Sequence, residues 1–187
     1  MFAEPDGQKT ALVQPFNDNG ALDACRDCSG AKCCGNIKHG GTIEPPFLTS
    51  FDVAQIGKFT GLHPDVYSEI VVNPHTGNEV RFLKTTSREG CHFLNEGRCT
   101  IHDHRPIDCR LFPLDLKMVE GELTWVIYSY NHCELTARDM AILAKQMKTA
   151  LAALGSETED YATVPVPGMK NIPFKVVGRA LEKPVIV

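Results

Sequence analysis

The sequence predicts an irregular α+β fold of short helices, one β-hairpin and a longer helix toward the C-terminus, and three observations carry that expectation. Cysteines cluster in two loop-rich blocks, and the first lies among Gly30, Gly35, Gly40 and Gly41, a backbone free to wrap around a centre. Residues 114–119 and 122–130 flank Glu120-Gly121 and read as a hairpin around a tight turn. Residues 134–154 place Met140, Leu143, Met147, Ala150 or Leu151, and Leu154 on one helical stripe, with Gly155 to stop it. That stripe reads as core packing.

The remaining elements follow in order. Residues 1–24 form a loop-rich arm with room for a short strand at Ala11-Leu-Val, and Pro45-Pro46 closes the first cysteine block. A short helix follows, with Thr49 or Ser50 as cap, Val53, Ile56 and Phe59 at helical spacing, and Gly61 as its stop. Pro64 opens a second short helix over residues 64–70. Residues 73–78 carry turn chemistry, and residues 80–86 read as a strand leading toward Cys91. Pro106 opens a short helix that carries Cys109, and Pro113 closes it. In the hairpin, Leu123, Trp125, Ile127 and Ser129 share one face. Three units are expected: the arm 1–24, a cysteine-cluster domain 25–155, and a Pro-punctuated tail 156–187 that packs on the domain as one or two short strands.

Composition removes several function classes. Hydrophobic residues make up 43% of the 187-residue chain, so a core can form without help from a metal. The net charge of −4 and the lack of a basic stripe argue against a nucleic-acid partner. No apolar run approaches the roughly 20 residues that span a bilayer. The opening residues lack a basic start followed by an apolar stretch, so the expected setting is the cytoplasm, where structural disulfides are disfavoured. The partner, protein or small molecule, is left open.

The cysteines carry the chemistry. Cys25, Cys28, Cys33 and Cys34 form the first block, Cys91, Cys99 and Cys109 the second, and Cys133 follows His132. A thiolate is soft, anionic and strongly donating, and a Cys-x2-Cys turn sets two sulfurs on one side of a backbone loop. Cys25 and Cys28 have that spacing. Side chains of adjacent Cys33 and Cys34 diverge, so one can face the same centre while the other reaches a second centre or packs inward. Seven and nine residues separate the thiols of the second block, so their meeting is a tertiary expectation. Eight thiols suffice for two four-sulfur sites, or for one with spares. His92, His102, His104 and His132 are possible substitutes as ligands. Arg26, Lys32, Arg98, Arg105 and Arg110 lie within a few residues of a cysteine and either offset an anionic centre or are ordinary surface charge. The spacings exclude radical-SAM, bacterial ferredoxin, haem-attachment and zinc-ribbon patterns.

These residues resemble the YkgJ-type cysteine-cluster family, with its CxxCxxCC zinc- or iron-chelating domain. The resemblance rests on Cys25, Cys28 and Cys33-Cys34, then Cys91-His-Phe-Leu, Cys99-Thr-Ile-His102, Arg105-Pro106 and Cys109-Arg110-Leu-Phe112-Pro113, and it covers about residues 25–135. The four residues between Cys28 and Cys33 depart from the usual gap of three or fewer, a difference that bears on which of Cys33 and Cys34 binds. Similar clusters occur in flagellin lysine N-methylases, where an iron–sulfur centre is implied. The resemblance therefore inclines toward iron–sulfur, of the 4Fe-4S kind, over Zn²⁺. It does not bring the methylase activity with it, because the chain shows no Gly-x-Gly-x-Gly nucleotide loop.

Three functions fit. The first is a protein whose centre, held by Cys25, Cys28, Cys33, Cys34, Cys91, Cys99, Cys109 and Cys133, is structural or redox-active. The second is a metalloenzyme that uses His102, Asp103 and His104 beside Cys99, with His92, as open-site ligands or general base. The third is a zinc-stabilised interaction module.

Overall fold

Thr49 and Asp52 set the start of the first helix. In the computed structural model, which describes Leu22, Cys33 and residues 45–86, 90–129, 135–166 and 173–180, strand β1 (Phe47–Leu48) leads into helix α1 (Ser50–Thr60). The Asp52 carboxylate accepts from the Thr49 N–H and hydroxyl at 3.0 and 2.7 Å, and the Thr49 oxygen accepts from the Asp52 N–H at 3.1 Å. This reciprocal cap satisfies amides that the first helical turn leaves unpaired. Glu157, far along the chain, accepts from the Ser50 N–H and hydroxyl. Gly61 ends the helix at φ 71, the left-handed conformation that favours glycine.

Helix α2 (Pro64–Tyr67) is shorter than the sequence predicts. The chain turns at Ser68 into strand β2 (Ser68–Val72), because the β-branched run Ile70-Val71-Val72 fits a pleated edge better than a helix. β2 pairs antiparallel with β3 (Glu79–Leu83) from Ser68↔Leu83 to Val72↔Glu79, and β1 pairs on the other side of β3. Residues 73–78 form the connecting turn, as expected. Beyond β3 lie two small two-stranded ladders. One pairs β4 (Thr85–Thr86) with β5 (Gly90–Cys91), the other β6 (Leu94–Asn95) with β7 (Arg98–Cys99). Two-residue strands are too short to leave a hydrophobic period, so the sequence does not announce them.

A 3₁₀ turn (His102–His104) precedes helix α3 (Ile107–Leu111), which starts after Pro106 and ends before Pro113. Strands β8 (Leu114–Val119) and β9 (Glu122–Tyr128) form the expected hairpin, with Glu120 and Gly121 both at positive φ (52 and 82), as a tight hairpin turn requires. Strand β10 (Phe174–Arg179) joins the free edge of β9 and makes a three-stranded sheet. β9 is therefore central. Trp125 is buried on the face the sequence marks, but Thr124, Val126 and Tyr128 are buried on the other, and Ser129 is exposed just beyond the strand.

Helix α4 (Ala137–Leu154) begins with a second reciprocal cap, Thr136 with Asp139. Its stripe of Leu143, Met147, Ala150 and Leu154 is buried, with Met140 and Leu151 packed beside it. The following residues include a helix that the sequence reading lacks. After a 3₁₀ turn, α5 (Thr158–Thr163) puts Tyr161 and Ala162 into the core. One of its acidic residues, Asp160, docks rather than solvates. Asp160 accepts from Asn73 and Asn78 at 2.9 Å each and from the Thr76 hydroxyl.

Two cores result. The larger joins the hairpin, α3, α4 and α5 around Trp125, Leu116, Leu111 and Leu143. The smaller comprises Leu48, Ile56, Tyr67, Leu83, Phe93 and Ile101, with Val53, Cys91 and Cys99 packed against it. The chain is thus α+β, as expected. Among the described residues, no helix is long and apolar enough to cross a membrane.

Candidate metal centre

Cys91 and Cys99 are held by the same local device. In Cys91-His92-Phe93 the Phe93 amide favours the Cys91 thiolate, and in Cys99-Thr100-Ile101 the Ile101 amide does the same for Cys99. The third residue of each triplet drops its side chain into the small core, where Phe93 and Ile101 are buried. The two turns are tied together, because the Thr100 N–H donates to the Phe93 carbonyl at 2.9 Å. An apolar anchor at position three and an amide that favours the thiolate are thus one structure. N–H donors stabilise a thiolate and orient it.

Cys109 comes from a separate element, α3. Its neighbours on the helix are fastened one by one. The Ile107 N–H donates to Asp52, and Asp108 accepts from the Phe47 N–H and the Tyr161 hydroxyl at 2.8 Å each. The Arg110 side chain donates to the Arg105 and Asp103 carbonyls. Burial, with the nearby Asp115 charge next, holds the Asp108 carboxyl above its ordinary range.

Four cysteines are described, Cys33, Cys91, Cys99 and Cys109, and the last three are free thiols. Cys33 is exposed and the other three are half-buried. Their charges act on one another. Burial pushes the Cys91 thiol up to about 11, with Cys99 and Cys33 adding to the rise. Burial and then Cys91, Asp108, Cys33 and Cys99 push Cys109 well above its usual value. Burial also raises Cys99, opposed by the Ile101 N–H and by Arg105, and reinforced by Cys33. Of the basic set, Arg105 acts on a thiol, that of Cys99.

The sequence-expected ligands Cys25, Cys28, Cys34 and Cys133, with His132, lie outside the described residues, as does the strand expected near Ala11. Among the described residues, no three His, Cys, Asp or Glu form a group that could hold a metal ion. The described thiols are nevertheless near enough to raise one another's proton affinity. Burial and mutual repulsion disfavour the thiolates of Cys91, Cys99 and Cys109, and a soft cation would offset that charge, so their donor chemistry fits zinc or iron.

Three of the candidate histidines, His92, His102 and His104, make other contacts. The His102 ring contacts Asp103 at 3.4 Å and meets the Arg105 guanidinium. His104 stacks on Phe59 with ring centroids 4.1 Å apart, and exposed His92 meets Phe93 edge-on at 4.9 Å. The residues that sequence reasoning missed are the supports, Asp52, Asp108 and Tyr161. Their partners lie 53 to 61 positions away, so no local spacing marks them.

Comparison with known protein families matches residues 24–139 to the CxxCxxCC family, described as "Putative zinc- or iron-chelating domain". No curated protein and no solved structure matches the chain. The matched span contains both cysteine blocks, Cys133, the paired turns of Cys91 and Cys99, and the helix of Cys109, and by that match the chain belongs to the CxxCxxCC family of zinc- or iron-chelating domains.

Proposed function

We propose that this protein carries a thiolate-ligated centre built from both cysteine blocks, an iron–sulfur cluster of the 4Fe-4S kind in preference to zinc, with a structural or redox role. The ligands are drawn from Cys25, Cys28, Cys33, Cys34, Cys91, Cys99, Cys109 and Cys133. One observation carries the reading. Cys33, from the first block, acts electrostatically on Cys91, Cys99 and Cys109, from the second. Influence between thiols so distant in sequence supports one site drawn from both blocks. The preference for iron–sulfur rests on the resemblance to cluster-bearing lysine N-methylases. Free thiols suit a reducing compartment, and the cytoplasm is the proposed one.

A bound metal would supply a cation that holds the thiolates together and, as a cluster, an electron-accepting centre. The chain's own residues orient the sulfurs, through the Phe93 and Ile101 N–H groups, and lay positive charge beside Cys99 through Arg105.

Anaerobic purification tests the proposal. Visible absorbance with matching iron and sulfide content is the expected result. Colourless protein with stoichiometric zinc and no iron would reject the cluster. Cys33→Ser and Cys109→Ser should each lower metal content, and full retention in both would reject the shared site.

A further inference from the structure

A single carboxylate serves the N-termini of two helices. Asp52 Oδ2 completes the cap of its own helix α1, on Thr49. Asp52 Oδ1 accepts from the Ile107 N–H at 3.2 Å. Ile107 is the first residue of α3, two positions before Cys109. Asp52 is only 6% exposed, so water does not substitute easily for either bond.

Helix α3 has five residues, and its N-cap, Pro106, supplies no side-chain hydrogen bond. So short a helix does not hold itself, since nucleation costs more than one turn returns. Its first amide is held from another element instead, by a negative charge at the helix end that favours one. The same residue joins the two cores, because α1 contributes Ile56 to the small one and Ile107 belongs to the large one.

We propose that Asp52 is a positioning residue for Cys109: its second oxygen fixes the first turn of α3, and with it the direction in which the Cys109 sulfur faces the other thiols. The proposal rests on the reading that Cys109 is a ligand. An asparagine at position 52 keeps the size but has one acceptor oxygen, so either Thr49 or Ile107 loses its partner and faces a second donor.

The test is zinc affinity of metal-free protein, measured against a competing chelator well below the unfolding temperature. Four chains are compared: the native protein, Asp52→Asn, Cys109→Ser and Gly121→Ala. The last is a stability control, since Gly121 sits at the hairpin tip at φ 82 with no atom within 4 Å of an added Cβ. Asp52→Asn should weaken zinc binding about ten- to a hundredfold, the usual effect of removing a support behind a ligand, while Gly121→Ala stays within about twofold. If Asp52→Asn and Gly121→Ala shift affinity alike, Asp52 acts through stability alone and the inference fails. If Cys109→Ser weakens binding and Asp52→Asn does not, the inference fails while the ligand reading stands. If Cys109→Ser changes nothing, both fall. Should Asp52→Asn not fold, Asp52→Glu keeps the charge and a capping-box side chain for Thr49 while shifting the second oxygen away from the Ile107 N–H, and the same loss of affinity is expected.

Discussion

The two cores are built by different means. The large core is closed by an 18-residue helix and a three-stranded sheet, and it buries Trp125, Leu116, Leu111, Leu143 and Leu154. The small core buries six side chains beneath two-residue ladders, and two of its rim residues are the thiols of Cys91 and Cys99. A buried large apolar side chain contributes about 1.5–3 kcal/mol, whereas ordering each backbone residue costs about 1–2 kcal/mol. The large core has regular ladders and helical hydrogen bonds to offset that cost over its whole length. The residues around Cys91 and Cys99 have few, so a ligand that ties the thiols has most to add there. Hydrophobic burial thus makes the domain, and the cysteine region is mounted on it.

Four changes would sharpen or break this contrast. The largest effect is expected for Trp125→Ala, which empties the centre of the large core and should cost about 3–5 kcal/mol in chemical denaturation. Metal per folded molecule should stay unchanged, and a parallel loss of metal would mean that the cores are not separable. Next comes metal removal. Chelation should lower amide hydrogen-exchange protection at residues 90–104 by about a hundredfold and leave α4 and the β8–β9 hairpin protected. Uniform loss across the chain would contradict the contrast.

A smaller effect is expected at the link between α5 and the β2–β3 turn. Burial favours the neutral form of Asp160, but the donors Thr76, Asn78 and Asn73 together outweigh it and lower the carboxyl below its model-peptide value of 3.8. A carboxylate depressed on folding stabilises the protein above its unfolded value, and that contribution is lost as the pH falls through the folded value. Asp160→Asn should therefore cost about 1–2 kcal/mol at neutral pH and less below the carboxylate range. Urea denaturation at the two pH values measures the difference, and a cost that grows in acid would reverse the assignment. The smallest effect is Gly121→Ala, about 1 kcal/mol from placing a side chain at φ 82. It should appear in thermal unfolding and leave metal affinity untouched.

Much of the scaffold was legible because its signals are local. Thr49, Gly61, Pro64, Pro106, Glu120-Gly121 and Gly155 each mark an element boundary by their own backbone chemistry. The stripe of α4 was legible because a period repeated over five turns has little competition. The β2 strand was not, since Pro64 begins a helix and the β-branched run starts only at Ile70, two residues after pairing with β3 begins at Ser68. Helix α5 was hidden for a related reason. Its acidic residues look solvated until Asn73, Thr76 and Asn78 are seen to meet Asp160.

The sequence by itself determined the thiol chemistry, the caps and turns, and the apolar stripe of α4, because each depends on residue type and on spacing within one element. The tertiary structure decided which thiols feel one another. Cys33, Cys91, Cys99 and Cys109 arrive from different loops and a helix, and their mutual influence depends on distances that no spacing encodes. It also assigned Asp52 its second task. A capping residue is recognisable from three neighbours, but the amide of Ile107, 55 positions away, reaches it only through the packing of two helices.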